Sequence, residues 1–131
     1  MQKKILITGG CGNVGGSLAR RLVKNPDYHI VILDNLLTGS LEKLPSAEFE
    51  NWDFFEVDCN NNAELQPVME ENNFDIVFHY AAMVGVQRTL NSPLNVLKDI
   101  SGIENILSLS HSTNVQRFFY SSSSEVYGEP V

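Results

Sequence analysis

The sequence predicts an α/β domain of the doubly wound type, in which helices cover both faces of a parallel sheet. Short apolar runs rich in β-branched residues alternate with amphipathic stretches along the chain, as in βαβ units. The first run is continuous rather than alternating, which is typical of a strand covered on both faces. A length of 131 residues, 43% apolar and 19% charged, suits one globular domain. We therefore expect a three-layer α/β/α domain with five strands.

The first elements surround a glycine-rich turn. A strand is predicted over Lys4–Thr8, and a helix over Asn13–Lys24 follows the turn. Asn25-Pro26-Asp27 is expected to end this helix, because proline does not continue a helix. A second strand is predicted over His29–Leu33 and ends at Asp34.

The remaining elements continue the same alternation. Asn35–Trp52 is expected to form a long loop with one short helix. Asn61 and Glu64 are spaced like a capping box that opens a helix. Ser92-Pro93 combines a capping hydroxyl with proline at the first helical position of another helix. The three further strands are predicted over Phe54–Val57, Phe74–Tyr80 and Arg117–Ser121.

Apolar spacing assigns a buried face to each helix, because a stripe at helical period faces the core. The expected stripes are Val14, Leu18 and Leu22 in the first helix, Leu65, Val68 and Met69 in the second, and Leu94, Leu97, Ile103 and Leu107 in the last.

Charge and cysteine usage exclude several classes of protein. With 9 Lys+Arg against 16 Asp+Glu, the net charge of −7 would repel a polyanion, so we expect no nucleic-acid partner. No apolar run approaches the ~20 residues of a membrane helix, and the run after Met1 is too short for a signal peptide. A cytoplasmic location is therefore expected. Cys11 and Cys59 have no CxxC pattern or histidine at ligand spacing, which indicates buried, reduced thiols and no metal site.

The segment from Thr8 to Gly16 carries the strongest local signal, because it lies between a predicted strand and a predicted helix. Gly9 allows the tight turn, Gly12 allows the backbone to approach a pyrophosphate, and Gly15 allows the helix to pack closely. The free N–H groups at the helix start would face the phosphates. The alternative is a glycine-rich turn that binds nothing.

Asp34 favours the binding interpretation. It ends the second predicted strand, 19 residues after Gly15, at the distance expected for an acid that binds an adenosine ribose. A 2′-phosphate would meet the charge of Asp34, and Asn35-Leu36-Leu37 supplies no arginine to neutralise it. The sequence therefore predicts NAD rather than NADP.

Five ordered motifs resemble the extended short-chain dehydrogenase/reductase family, specifically its NAD-dependent epimerases and dehydratases of nucleotide sugars. The glycine motif has the form TGGxGxxG, which is typical of that family and implies a Rossmann fold. The similarity covers the whole chain and rests on Thr8–Gly15, Ile32–Leu36, Val57-Asp58, His79–Ala82 and Ser121–Gly128.

The resemblance assigns cofactor contacts position by position. It implies that the pyrophosphate meets Asn13 and Val14, the adenosine ribose meets Asp34 and Asn35, the adenine meets Asp58 and Cys59, and the cofactor passes beside Tyr80, Ala81 and Ala82. The alternatives are that Asp58 caps the following helix and that Ala81-Ala82 only packs.

The serine run is expected to carry chemistry. The resemblance implies that Ser123 hydrogen-bonds the sugar hydroxyl being oxidised, since a hydroxyl both donates and accepts. Glu125 is similar to the base that removes a proton beside a transient ketone in dehydratases and decarboxylases, a role that partial desolvation favours. The alternatives are a polar serine loop and a Glu125 that points to solvent.

Some positions depart from the family pattern. Asp99 and Ile103 stand where the family usually has Asn and Thr, and Met83 stands where many members have a polar residue. The YxxxK pair of the family is missing, because the tyrosines are followed at +4 by Ile32, Val84, Ser124 and Val131.

The expected function combines these observations. We expect residues 1–131 to be the incomplete NAD-binding domain of an enzyme whose C-terminal substrate domain is absent from this chain. The complete enzyme would oxidise a nucleotide-sugar hydroxyl to a transient ketone with tightly bound NAD, then epimerise or dehydrate it. A homodimer through the helix near Ser92 is implied by the resemblance. The alternatives are a non-catalytic NAD-binding module and a short-chain reductase of another carbonyl substrate.

Overall fold

The computed structural model describes residues 1–82 and 86–129, without the side chains of Val86, Ser124 and Glu125. The strands are β1 (Lys3–Thr8), β2 (Tyr28–Asp34), β3 (Trp52–Glu56), β4 (Ile76–His79) and β5 (Arg117–Tyr120). The helices are α1 (Asn13–Leu22), α2 (Asn62–Asn72), α3 (Val86–Asn91) and α4 (Pro93–Ser112), with 3₁₀ turns at Leu41–Lys43 and Ser124–Tyr127.

The five strands form one parallel sheet in the order β3-β2-β1-β4-β5. Thr8, the last residue of β1, pairs with Leu33 of β2 and with His79 of β4, so the carboxyl ends of the central strands are level. The chain crosses from one side of β1 to the other between β3 and β4. This topology confirms the doubly wound prediction, and the predicted strand boundaries differ by at most two residues.

Two apolar layers cover the central sheet, because side chains alternate between its faces. One layer joins Leu6, Val31, Leu33 and Val77 to Leu65 and Met69 of α2 and Ile106 and Leu109 of α4. The other joins Ile5, Ile7, Ile30 and Ile32 to Ala19 and Val23 on the α1 side. Among the described residues, no helix is both long enough and apolar enough to cross a membrane.

The predicted stripe of α2 is confirmed, but that of α4 is wrong. Leu65 and Met69 are fully buried with Val68 beside them. In α4, Leu94, Leu97 and Leu107 are 74%, 60% and 47% exposed, and Ile103 is only half-buried. The buried side consists of Gly102, Ile106, Leu109 and Ser110, and at Gly102 the helix lies against Asn60.

In α1 the predicted stripe is partly wrong for a related reason. Leu18 and Leu22 pack against the core, but Val14 is 66% exposed at the start of the helix. Gly15, Gly16 and Ala19 form the buried side instead.

The helix starts match the predictions unevenly. Asn61 caps α2 by accepting from the Ala63 N–H, as expected. Pro93 begins α4 as predicted, but the Ser92 side chain makes no capping hydrogen bond, so the predicted Ser92 cap is wrong. The short helix α3 was not predicted.

Candidate functional site

A cavity of about 560 Å³ opens at the carboxyl ends of the strands, beside the point where the chain crosses over β1. Open parallel sheets bind ligands at this position, because loops from neighbouring strands diverge there. The structure brings all twelve predicted cofactor residues into its lining: Gly9, Gly12, Asn13, Val14, Gly15, Asp34, Asn35, Asp58, Cys59, Tyr80, Ala81 and Ala82.

The glycine loop is shaped by close backbone approach. Gly9 has φ +67°, and a Cβ there would lie 2.7 Å from the Ala81 nitrogen. A Cβ at Gly15 would lie 2.4 Å from the Gly9 carbonyl oxygen, so α1 packs on the loop itself. Gly12 is the N-cap residue of α1, and no side chain caps this helix. The first residues of α1 line the cavity, and the N–H groups of this turn have no side-chain cap, as an anion site requires.

Asp34 joins the glycine loop to the loop after β2. Its Oδ2 accepts from the Cys11 N–H at 2.9 Å, and its Oδ1 accepts from the Leu36 N–H at 2.8 Å. The side chain is 8% exposed and lines the cavity. A carboxylate has about four lone-pair positions, so two backbone donors leave it able to accept from ribose hydroxyls.

The loop after β3 is tied to α4. Asn60 accepts from the Gly102 N–H at 2.9 Å through Oδ1, and the Asn105 side chain donates to the Cys59 carbonyl at 3.0 Å. Asp58 accepts from the Asn60 N–H at 2.9 Å, whereas the cap of α2 is Asn61. The alternative role of Asp58 as the helix cap is therefore excluded.

Both cysteines are free and buried, as predicted. Burial, with a smaller contribution from Asp34, raises the pKa of the Cys11 thiol to about 11. Burial likewise raises the pKa of Cys59 to about 12, with the charge of Asp58 adding to the effect. Both thiols are protonated near neutral pH and are poor nucleophiles. Within residues 1–82 and 86–129, no cluster of three or more His, Cys, Asp or Glu side chains could hold a metal ion.

Helix α4 contributes a wall that the sequence analysis largely missed. Asn95, Lys98, Asp99 and Gly102 line the cavity. The spacing i, i+3, i+4, i+7 places them on one face of the helix. The polar residues at this spacing are the sequence signal from which this wall could be predicted. Of these residues, the sequence singles out only Asp99, as a departure from the family pattern. Among the described residues, the lining carries the carboxylates Asp34, Asp58 and Asp99, with Lys98 as its cation.

Of the two predicted catalytic residues, the structure describes the side chain of Ser123 but not that of Glu125. Ser121 lines the cavity, but Ser123 is exposed and is not part of the lining. The side chain of Glu125 and the whole of Met83 lie outside the described residues, so their predicted roles are not resolved by the structure. The cavity therefore gathers the predicted cofactor residues and Ser121, without Ser123.

A glycine-rich loop, an acid at the end of β2 and a cavity at the crossover define a Rossmann-type domain. The chain belongs to the NAD dependent epimerase/dehydratase family, whose model matches residues 5–131. This membership confirms the resemblance, and the dependence of the family on NAD agrees with the predicted cofactor.

Relatives and solved structures agree with this assignment. The chain is 35% identical over 96% of its length to a putative UDP-glucose 4-epimerase of Methanocaldococcus jannaschii, and 32% identical over 96% to UDP-glucose 4-epimerase of Drosophila melanogaster. The chain spans 40% and 39% of the lengths of these relatives.

Two solved structures have the same fold over nearly the whole chain. UDP-glucose 4-epimerase of Thermotoga maritima with UDP-glucose superposes with a TM-score of 0.88 at 30% identity, covering 98% of this chain and 40% of that one. The Brucella ovis UDP-glucose 4-epimerase in complex with NAD gives 0.85 at 29% identity, covering 98% and 38%.

Proposed function

We propose that this chain is the NAD-binding domain of a nucleotide-sugar epimerase or dehydratase. The observation that carries the proposal is the single cavity in which an uncapped helix start, the Gly12 backbone and the Asp34 carboxylate meet. The loop would hold the pyrophosphate, Asp34 and Asn35 the adenosine ribose, and Asp58 with Cys59 the adenine. Bound NAD would supply hydride acceptance and return.

The proposed reaction begins with oxidation of a sugar hydroxyl and continues with epimerisation or dehydration of the ketone. Relatives named as UDP-glucose 4-epimerases support a uridine-diphosphate sugar as the substrate class. Ser123 would hydrogen-bond the hydroxyl, and Glu125 would remove the proton beside the ketone. Because these relatives are longer than this chain, we propose that a C-terminal substrate domain completes the enzyme.

Calorimetric titration of the chain with NAD and NADP tests the cofactor proposal. NAD should bind at least about tenfold more tightly than NADP, because a 2′-phosphate beside Asp34 costs more than about 1.4 kcal/mol. Asp34→Asn, which keeps one acceptor oxygen, should narrow this ratio. The control Asp53→Asn removes the same charge outside the cavity lining, where Asp53 pairs with His29, and should leave the ratio unchanged. Equal affinity for both cofactors in the unmodified chain would overturn the assignment of Asp34.

A turnover assay tests the division of labour between domains. We expect no epimerisation of UDP-glucose by this chain alone, because it contains no YxxxK pair. Formation of the epimerised sugar nucleotide from UDP-glucose and NAD would contradict the proposal that catalysis needs a further domain.

We also propose that the protein self-associates through α4. Leu94, Leu97 and Ile100 are at least 60% exposed on the side of α4 away from Ile106, and clustered exposed apolar residues mark interfaces. Sedimentation should show a dimer that Leu94→Gln with Leu97→Gln converts to monomer, and a monomeric unmodified protein would exclude it. The cytoplasmic location stays a prediction.

A further inference from the structure

Thr8 lies at the end of β1 and is fully buried, and its hydroxyl is surrounded by polar groups at the end of β4 and just after it. Thr8 Oγ1 lies 3.1 Å from the Tyr80 nitrogen, 3.1 Å from the Ala81 nitrogen and 2.8 Å from His79 Nδ1. The glycine-motif threonine therefore meets three consecutive residues of the opposite cavity wall.

The direction of these hydrogen bonds follows from counting protons. A threonine hydroxyl has one hydrogen and two lone pairs, and backbone N–H groups only donate. The Ala81 amide donates to one lone pair, and the Tyr80 amide is shared between Thr8 Oγ1 and the Thr8 carbonyl oxygen, at 3.1 and 3.2 Å. With these donors on its oxygen, the hydroxyl directs its hydrogen to His79 Nδ1, which then accepts, so the ring hydrogen is on Nε2.

Two neighbouring groups are consistent with this direction. Burial lowers the pKa of His79 to about 4, partly opposed by the charge of Asp99, so the ring is neutral at pH 7. Cys59 also interacts with the Thr8 hydroxyl, but its thiol keeps its own hydrogen because burial raises its pKa to about 12. Thiol sulfur is a weak acceptor, so the imidazole nitrogen is the stronger partner for the Thr8 hydrogen.

We infer that Thr8 is a positioning residue that holds His79 as the Nε2–H tautomer and fixes the Tyr80–Ala81 backbone against the glycine loop. The contact is tight, because a Cβ at Gly9 would lie 2.7 Å from both the Tyr80 carbonyl carbon and the Ala81 nitrogen. Movement of this wall therefore displaces the turn that faces the phosphates. The consequence for cofactor affinity rests on the proposed function, whereas the tautomer does not.

Nitrogen-15 NMR of the imidazole rings tests the tautomer in the unmodified chain at pH 7, with His29 and His111 as internal references. We expect His79 to show an unprotonated Nδ1 and a protonated Nε2. A protonated Nδ1 would overturn the inference whatever the affinity for NAD, and this measurement needs no variant to fold.

Substitutions then test the positioning role through NAD affinity. Thr8→Val keeps the shape, removes the hydroxyl acceptor of the Ala81 amide and leaves the Tyr80 amide only the Thr8 carbonyl, so it should weaken NAD binding about tenfold or more while releasing the fixed tautomer. Thr8→Ser should retain the tautomer and bind within about threefold of the unmodified chain. Thr113→Val, which removes a hydroxyl bonded to the Leu109 carbonyl at the end of α4, is the control and should change neither.

These outcomes separate the two proposals. A folded Thr8→Val with unchanged tautomer and unchanged NAD affinity would overturn the positioning role. If the unmodified chain showed the expected tautomer but bound no NAD, the proposed function would fail while the Thr8–His79 assignment stood.

Discussion

Strands β2 and β5 are both apolar, but they differ in how completely they are covered. Ile30, Val31, Ile32 and Leu33 of β2 are fully buried between two helical layers, whereas Phe119 and Tyr120 of β5 are 45% and 56% exposed. The same contrast separates α1, which packs small residues on the glycine loop, from α4, which exposes three leucines. Hydrophobic residues therefore stabilise this chain unequally, because the free energy follows the area removed from water.

The contrast predicts that a medium-sized side chain in β2 matters more than a large one in β5. Ile32→Ala should cost about 2–5 kcal/mol of unfolding free energy, since it leaves a cavity in a closed layer. Phe119→Ala should cost about 1 kcal/mol, because the ring is 45% exposed and mainly stacks on Phe78. Urea unfolding followed by circular dichroism compares them, and equal losses would break the contrast.

In the glycine loop, substitutions at two glycines should separate an effect on stability from an effect on NAD binding. Gly15→Ala places a Cβ 2.4 Å from a backbone oxygen and should cost about 1–3 kcal/mol. At Gly12 the nearest atom would lie 3.2 Å away, so Gly12→Ala should cost less than about 1 kcal/mol but weaken NAD binding. The same urea titration and a calorimetric NAD titration measure the two effects. A larger loss of stability at Gly12 than at Gly15 would contradict this packing.

His79 ends β4, beside Thr8 of β1. The pH dependence of the unfolding free energy tests whether its ring is buried. Its folded pKa of about 4 is below the unfolded value of 6.5, so the unfolded state binds more protons between these values. The contribution is fully present above pH 6.5 and is lost as the pH falls towards 4. Between pH 7 and 5.5 the loss should be about 1 kcal/mol. His79→Asn should flatten this part of the profile, and His111→Asn should not.

The smallest expected effect concerns the contact between α4 and the loop after β3. Gly102→Ala places a Cβ 2.7 Å from Asn60 Oδ1, the end of a side chain that can move. Stability should change by less than about 1 kcal/mol, because the helix gains from alanine what the displaced hydrogen bond loses. NAD affinity should fall by about threefold as the loop after β3 shifts. Asn60→Ala alone should have a similar effect, and the double variant should add little more. Additive losses would show that the two residues act separately.

The order of elements was predictable because each rests on a local pattern. Continuous β-branched runs predicted the strands, glycines at fixed offsets predicted the turn before α1, and Asn61 predicted the start of α2. That the candidate residues lie together in one cavity was predictable for a related reason, since the carboxyl ends of parallel strands meet at one edge.

The buried face of α4 was not predictable from spacing, because this helix is apolar on two sides. Its leucines have the expected period, yet Gly102 and Ser110 lie on the buried side with Ile106 and Leu109. Hydrophobicity alone does not encode which of the two apolar sides is buried. The same rotation brings Asn95 and Lys98 into the cavity.

The sequence by itself determined the α/β class, the parallel order, the glycine loop and the acid at the end of β2. These depend on backbone preferences and on periodicity, which neighbouring residues set. Only the tertiary structure decided which face of α4 is buried and how Thr8 meets His79, 71 residues away. Such contacts join distant segments, and their geometry follows from packing and from the need to satisfy buried polar groups.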